Sequence, residues 1–262
     1  MTPRTGSRLT RIAVLALGIG LIFPCAWATP PVTNLNLHRS GWSLGLGFLS
    51  LGLPYPGASR WSRFIPLVNY NTPGFYLHGL TIGWHLGETG PVHFNVVAEP
   101  ETLHYSAVTG PRFKGLTQRH ASLMGGIDAV YRRGFWGVRA TALTDLLERS
   151  HGQKLRAMLF AHFDMEGWFW DPRAGIEWDS ANFTDYYFGV PAYEASPLHP
   201  ADAPGSTLNT LLEMLAGKNL GPHFTVVGGL EEEFYGSGIR ASPLVNRSAS
   251  LSYVIGLYYR FR

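Results

Sequence analysis

Ten histidines are the residues of this 262-residue chain that could most readily do chemistry. They are scattered, and they form no His-x-x-His or His-Glu-x-x-His motif and no cluster with cysteine, which are the spacings that metal ligands need. His78 and His85 lie seven positions apart on one predicted strand. We interpret the histidines as ordinary side chains of a protein interior or an interface, and we predict neither a metal site nor a cofactor.

His162 and Asp164 form the best catalytic-looking pair, because residues two apart on a strand share one face. A serine hydrolase needs a paired Ser and His with an orienting group, and an aspartate-histidine protease needs acids and a His at its outer rim. Neither full set is visible, so we predict no catalytic residue and no enzyme. We expect instead that the interior is filled by mutually neutralising charges, since buried charges must be paired: Asp128, Arg132, Arg139, Arg156, Asp164, Glu177, Glu231 and Glu233.

The elements that position these residues are strands, and the last one is the clearest. In residues 249–261 every second side chain is apolar or aromatic, with small or polar residues between. That period and length are typical of a strand that crosses a bilayer in a β-barrel. Gly256, Tyr259 and Phe261 have the spacing of the C-terminal signal by which the barrel-insertion machinery recognises outer-membrane barrels, although Arg262 follows the final aromatic residue.

The N-terminus has the pattern of a cleaved secretory signal peptide. Arg4, Arg8 and Arg11 precede an apolar run over residues 12–23, and Ala26 and Ala28 form a small-x-small cleavage site. An N-terminal anchor helix is the less favoured alternative. We predict a leader over residues 1–28, a short periplasmic lead-in over 29–40 and one barrel over 41–262. Cys25, the single cysteine, leaves with the leader, which excludes disulfides from the mature chain.

Charge and composition narrow the function further. The mature chain has 18 basic side chains, the 21 of the full chain less three in the leader, against 18 acidic ones. A nucleic-acid partner is therefore not expected, because binding needs a basic surplus. Charged residues make up only 15% of the chain and glycine numbers 31, which fits a secreted β-protein that spends much of its surface on lipid, as an outer-membrane barrel does.

Alternation recurs about every ten residues and marks eleven candidate strands, of which the segment over 207–216 is weak. A bacterial barrel has an even strand number. The fold class is therefore an all-β, antiparallel transmembrane barrel, with twelve strands favoured, the twelfth within residues 99–114, and ten as the alternative. Turns at 132–134, 166–167 and 217–221 are short and should face the periplasm. The segments 99–118, 182–206 and 236–247 are longer and should face outward.

Five motifs resemble the MipA/OmpV family of outer-membrane proteins. They lie in order along the chain: residues 41–47, the loop with Pro54, Tyr55 and Gly57, residues 66–70, the loop with Tyr187, Gly189 and Val190, and the loop with Ser242 and Pro243. The family usually has an Asp before that Ser, where this chain has Ala241.

The resemblance implies a non-enzymatic barrel that acts as a scaffold between a murein lytic transglycosylase and a bifunctional murein synthase. A narrow channel, or a barrel for adhesion or osmotic response, is the alternative, and a barrel hydrolase is the most distant one.

Overall fold

The computed structural model describes residues 41–57, 60–107 and 109–261. The predicted leader, its cleavage site at Ala26 and Ala28, the lead-in and Arg262 lie outside the described residues. Thirteen strand segments make up one sheet. They are β1 Gly41–Leu51, β2 Trp61–Asn71, β3 Phe75–His78, β4 Thr81–Thr89, β5 Val92–Glu101, β6 Ser122–Arg133, β7 Trp136–Asp145, β8 Gln153–Ala161, β9 Phe163–Met165, β10 Trp168–Asp179, β11 Thr207–Leu220, β12 Phe224–Phe234 and β13 Ala249–Arg260.

The sheet closes on itself. Each strand is antiparallel to the next along the chain, and β13 pairs with β1 from Ser43–Arg260 to Ser50–Tyr253. β8 and β9 are two parts of one wall strand, interrupted at His162, and both pair with β10. The molecule is thus a closed antiparallel barrel of twelve strands, as the sequence predicted.

The position predicted for the twelfth strand is wrong. Residues 99–114 contain the end of β5 and a 3₁₀ turn, Pro111–Phe113, and no further wall strand among those described. The extra strand comes from a turn at Gly79 and Leu80, which divides the single predicted strand with His78 and His85 into β3 and β4. Consequently His78 and His85 lie on different strands, and not on one. Gly79 has φ +59°, a conformation that glycine adopts without strain.

The weak segment over 207–216 is a wall strand. β11 runs from Thr207 to Leu220 and pairs with both β10 and β12. The turn expected at 217–221 therefore lies at 221–223, because the ladder with β12 continues to the Leu220–Phe224 pair.

The two ends of the barrel differ. Short turns at 72–74, 90–91, 134–135, 166–167 and 221–223 define the short-turn end. Long segments at 52–60, 102–121, 146–152, 180–206 and 235–248 define the loop end. The loop end also carries α1 (Ala181–Phe188), the 3₁₀ turn Ala192–Glu194 and α2 (Ser237–Ala241). No described helix is long and apolar enough to cross a membrane.

The outer face of the wall is apolar. Leu46 and Ile127 are each 59% exposed and Ile255 is 57% exposed, a degree that fits lipid contact. Aromatic pairs ring the short-turn end, among them Trp42 stacked on Tyr70 at 4.2 Å and Trp168 stacked on Trp170 at 5.9 Å. This places Trp168 and Trp170 in an interfacial girdle, whereas Phe169 between them is half-buried and has the inward phase of buried Asp171.

Glycines on the inner face make room for larger neighbours, as expected for Gly45 and Gly47. A Cβ on Gly47 would lie 2.9 Å from Leu67, and a Cβ on Gly256, its partner on β13, would lie 2.3 Å from the same side chain. Leu67 therefore reaches across the inside of the β13–β1–β2 wall only because both positions are glycine.

Candidate functional site

A folded cap covers the loop end of the barrel. The cap is built from segments 52–57, 102–121, 180–206 and 235–248, which share one buried apolar cluster. Its members are Leu53, Tyr55, Tyr105, Phe113, Leu116, Phe183, Tyr187, Phe188, Val190, Tyr235, Ile239, Leu244 and Val245. Loops that are far apart in the sequence thus form a second small core above the barrel.

The three loop motifs of the sequence meet in this cap. The Tyr55 hydroxyl donates to the Tyr187 carbonyl at 3.2 Å, and the Ser242 hydroxyl donates to the Phe188 carbonyl at 2.5 Å. The Tyr187 hydroxyl donates to the His120 carbonyl at 3.1 Å. The motif residues therefore satisfy the backbone of one another's loops, which a buried loop requires.

The remaining motif residues fix the backbone conformation of the cap loops next to these hydrogen bonds. Gly57 has φ +73°, and the Gly189 amide ends α1 by donating to the Asp185 carbonyl. Val190 pairs with Asp202 in an isolated bridge, and the Pro54 carbonyl accepts from the Asn246 amide at 3.4 Å. Pro243 follows Ser242 and is half-buried.

An ion pair that the sequence did not reveal lies inside the cap. Arg119 Nη2 contacts Glu194 Oε2 at 3.2 Å, with both side chains buried. Arg119 Nε also donates to the Tyr186 carbonyl at 2.8 Å, and the guanidinium lies 5.4 Å from the Tyr186 ring. These contacts tie segment 102–121 to segment 180–206.

The cap tyrosines are held neutral. Burial raises the pKa of Tyr105 to about 12, and it raises the pKa values of Tyr55, Tyr187 and Tyr235 above the ordinary 10.0. Their hydroxyl groups consequently stay protonated further into the alkaline range than that of a free tyrosine.

Below the cap, ion pairs fill the interior. Arg156 donates to Glu177 at 2.5 Å and to Glu99 at 3.3 Å, and Lys154 Nζ lies 2.9 Å from Glu177 and 3.0 Å from Glu101. Arg173 pairs with Glu213, Arg139 with Asp128, and the Asn209 amide links Asp179 to Glu233. The expected mutual neutralisation is confirmed for Asp128, Arg139, Arg156 and Glu177, but it is wrong for Asp164, whose side chain is 72% exposed. Glu99, Glu101, Lys154, Asp179 and Glu213 were missed, although Lys154 alternates in phase with Arg156.

Three of these acids could hold a cation by geometry. Carboxylate oxygens of Glu177, Asp179 and Glu233 lie within 4.8 Å of one another. Lys154 already places its ammonium group 2.9 Å from Glu177 and 3.7 Å from Asp179, and the Phe183 ring of the cap lies 4.2 Å above that ammonium. The protein thus supplies its own cation to this group.

A small cavity lies beneath the cap. It has a volume of about 70 Å³, lies between the cap and the ion pairs, and is lined by residues that include Glu101, Lys154 and Glu233. That volume suffices for a few water molecules.

The catalytic-looking pair lies at the short-turn end. His162 Nε2 is 2.8 Å from Asp164 and Nδ1 is 2.5 Å from Asp171. Asp171 is buried, whereas Asp164 is largely exposed. Both ring nitrogens are therefore engaged by carboxylates rather than by a serine or cysteine, which is not the arrangement of a nucleophile and its base.

The residues of the predicted assembly signal lie on or beside β13. Tyr259 and Phe261 are exposed on the outer face, with ring centroids 5.0 Å apart, and Gly256 faces inward. Recognition by the insertion machinery stays a prediction.

Comparison with known proteins shows the family. The family model "MltA-interacting protein MipA" matches residues 44–261. The MltA-interacting protein of Escherichia coli K12 is 25% identical over 258 residues, covering 97% of this chain and 100% of that protein. The putative outer membrane protein YiaT of the same strain is 25% identical over 224 residues, covering 84% and 90%.

Solved structures with a similar outline have different activities. An outer membrane channel from Pseudomonas putida F1 has a TM-score of 0.45 and 11% identity, covering 88% of this chain and 98% of that one. The outer membrane protease OmpT from Escherichia coli has a TM-score of 0.32 and 10% identity, covering 86% and 98%. At this level of similarity neither activity carries over. The matched residues and the closed barrel together establish that this chain is an outer-membrane β-barrel and belongs to the MipA family.

Proposed function

We propose that the protein is a non-enzymatic scaffold that holds a peptidoglycan-remodelling enzyme against the outer membrane. The expected partners are a murein lytic transglycosylase and a bifunctional murein synthase. A relative named for interaction with MltA aligns with 97% of this chain, which supports the first partner.

The filled interior is the observation that carries the proposal. The cap covers the loop end, and buried ion pairs occupy the lumen beneath it, an arrangement that favours a closed interior over a transport route. Water-filled porins have 16–18 strands, and a barrel of twelve has a narrower interior that side chains can fill. A barrel that neither conducts solutes nor catalyses a reaction would act through its surface, by binding a partner.

The short-turn end, which faces the periplasm, offers a surface for such a partner. Phe135 on the turn at 134–135 packs against Phe163 with ring centroids 5.6 Å apart, and Met165 adjoins them. The three side chains are 59%, 46% and 66% exposed. Exposed apolar groups at a rim mark contact with a protein or a membrane. Phe135 lies in the turn just before Trp136, the first residue of β7, and so lies outside the wall strand.

A pull-down from detergent-solubilised envelopes tests the proposal. The unmodified protein should recover a lytic transglycosylase, and the double variant Phe135→Ser with Met165→Ser should recover much less. The matched control is Tyr193→Ser, since Tyr193 is 82% exposed but lies in the cap at the opposite end. Recovery of no murein enzyme by the unmodified protein would contradict the scaffold function. Equal recovery by all three proteins would contradict the surface.

A further inference from the structure

The barrel wall has an opening on one side. β3 has four residues and begins the ladder with β2 only at Asn69, so Trp61–Leu67 of β2 pairs with β1 alone among the described residues. β4 pairs with β5 no further than Ile82–Ala98, which leaves Glu99, Pro100 and Glu101 paired only with β6. The opening therefore lies between β2 and β5, above the turn at Gly79 and Leu80 and below the cap.

Prolines mark both edges of the opening. Pro66 lies in the unpaired part of β2, and Pro100 lies in the unpaired part of β5. Proline cannot donate to a ladder and is confined to strand edges, where it also discourages the addition of another strand. The two prolines therefore fit an opening in which no further strand pairs with β2 or β5.

The inner surface behind the opening is apolar. Leu49 and Leu51 are buried there, and Trp61, Ile65, Leu80 and Val254 pack against them. The unpaired backbone groups along the edges must be satisfied by protein or by water, so hydrocarbon can cover only the side-chain surface. That surface, on the β2 side of the opening, is a poor one for water and a good one for hydrocarbon.

Basic side chains lie at the upper rim. Arg63 alternates in phase with the inward residues Ile65 and Leu67, yet it is exposed, and its guanidinium lies 5.5 Å from the Trp61 ring. Arg60 donates to the Leu251 carbonyl at 2.6 Å and to Ser50 at 3.0 Å, both uncharged groups. The acids across the opening, Glu99 and Glu101, are buried and bonded to Arg156 and Lys154. Since no carboxylate among the described residues contacts Arg60 or Arg63, the rim presents positive charge.

The height of Arg63 fits a lipid headgroup. Tyr70 lies in the girdle at the short-turn end, seven residues from Arg63 on the same strand. With a rise of about 3.3 Å per residue and a tilt of about 40°, the Arg63 backbone stands about 18 Å above the girdle, and its long side chain can cover the remaining distance of about 7 Å to the outer edge of an apolar band about 25 Å tall.

We propose that this opening binds a phosphate-bearing acyl lipid of the outer leaflet. One acyl chain lies in the opening against Ile65 and Leu80, and the phosphate contacts Arg63. The opening continues the lipid-facing surface, on which Phe64 is 71% exposed, so a chain can enter sideways from the bilayer.

Photo-crosslinking in vesicles of mixed phosphatidylglycerol and phosphatidylcholine tests the site. Benzoylphenylalanine at position 65 should form lipid adducts as readily as at the outward position 64. At position 211 it should form none, because Leu211 is inward and buried in a wall paired on both sides. Labelling at position 65 that yields only protein adducts, or a crosslinked second copy of the chain, would overturn the proposal.

The headgroup contact has its own test. Phosphatidylglycerol should be enriched in the position-65 adducts relative to the vesicle, and Arg63→Gln should reduce that enrichment by about fivefold, the factor expected for one basic side chain near a lipid surface. Arg247→Gln, an exposed arginine of the cap, is the control and should leave the enrichment unchanged. Adducts in the bulk lipid ratio in both proteins would refute the role of Arg63.

Discussion

From β5 to β12 the inner wall carries Lys154, Arg156, Arg173 and their carboxylate partners, whereas from β1 to the turn at 79–80 it carries Leu49, Leu51, Ile65 and Leu80. We call these the charged half and the apolar half. Almost every strand of the charged half is paired along its length on both sides, while β2 in the apolar half is paired for most of its length on one side only.

The difference shows how wall and interior depend on each other. A complete ladder separates the lumen from lipid, so charges can be buried there if they are paired. Where the ladder is incomplete, inward side chains are not separated from lipid, and a charge buried there without a partner would be costly. Arg63, at the rim, is exposed. The apolar half therefore follows from the short β3–β4 hairpin and not from a general preference of the lumen.

The largest expected effect is the loss of an ion pair in the charged half. Arg156→Ala leaves Glu99 and Glu177 without a cation that both contact, and it should lower the free energy of unfolding by about 3–5 kcal/mol. Urea titration, followed by the gel shift between folded and unfolded barrel, measures the change. Arg133→Ala, on an exposed residue beside a turn, is the control and should change stability by about 0.5 kcal/mol or less. Equal stability of the two variants would mean that the ion pairs do not stabilise the charged half.

A smaller effect is expected from crowding the apolar half. A Cβ on Gly45 would lie 2.1 Å from the Leu257 carbonyl oxygen, so Gly45→Ala must displace backbone and should cost about 1–3 kcal/mol. Gly228→Ala is the matched control, because its Cβ would meet nothing nearer than 4.0 Å. The same urea titration compares the two variants, and an equal cost would contradict the close approach of β13 to β1.

The cap spans both halves and should loosen at alkaline pH. Burial raises the pKa of Tyr105 from 10.0 to about 12. For a group whose folded pKa is raised, the stabilisation is complete below the unfolded value and is lost as the pH rises through the folded value. We therefore expect cap stability to fall between pH 10 and about 12, with tyrosinate absorbance rising late in that range. Tyr105→Phe should remove part of the late rise; an unchanged titration would show that Tyr105 is not buried.

The smallest expected effect is that of replacing Arg63, and it distinguishes the apolar half from the charged half most clearly. Arg63 points inward like Arg156, but it lies in the apolar half and is exposed. Arg63→Gln should change the free energy of unfolding by about 0.5 kcal/mol or less, since an exposed charge contributes little. A loss as large as that for Arg156→Ala, in the same titration, would abolish the distinction between the halves.

The outer surface could be predicted from the sequence much better than the interior. Alternation identified the lipid-facing residues and the charges around Arg156. The turn at Gly79 and Leu80 was missed because Tyr76, Leu80, Ile82 and Trp84 read as one alternating run. In the structure Tyr76 faces inward and Ile82 outward, a change of phase that only a turn produces.

The cap was beyond prediction for a different reason. Tyr55, Tyr187 and Ser242 are joined by hydrogen bonds between distant loops, and no period in the sequence encodes such contacts. Pro66 and Pro100 were the available signal for the opening, because proline within a wall strand indicates a missing ladder partner.

The central claim, that the interior is filled and the barrel serves as a scaffold, is tested most directly by single-channel recording in planar bilayers. The unmodified protein should give no discrete conductance, because the cap and the ion pairs of Lys154 and Arg156 close the lumen. Reproducible conductance steps from the unmodified protein would contradict the account and favour a narrow channel.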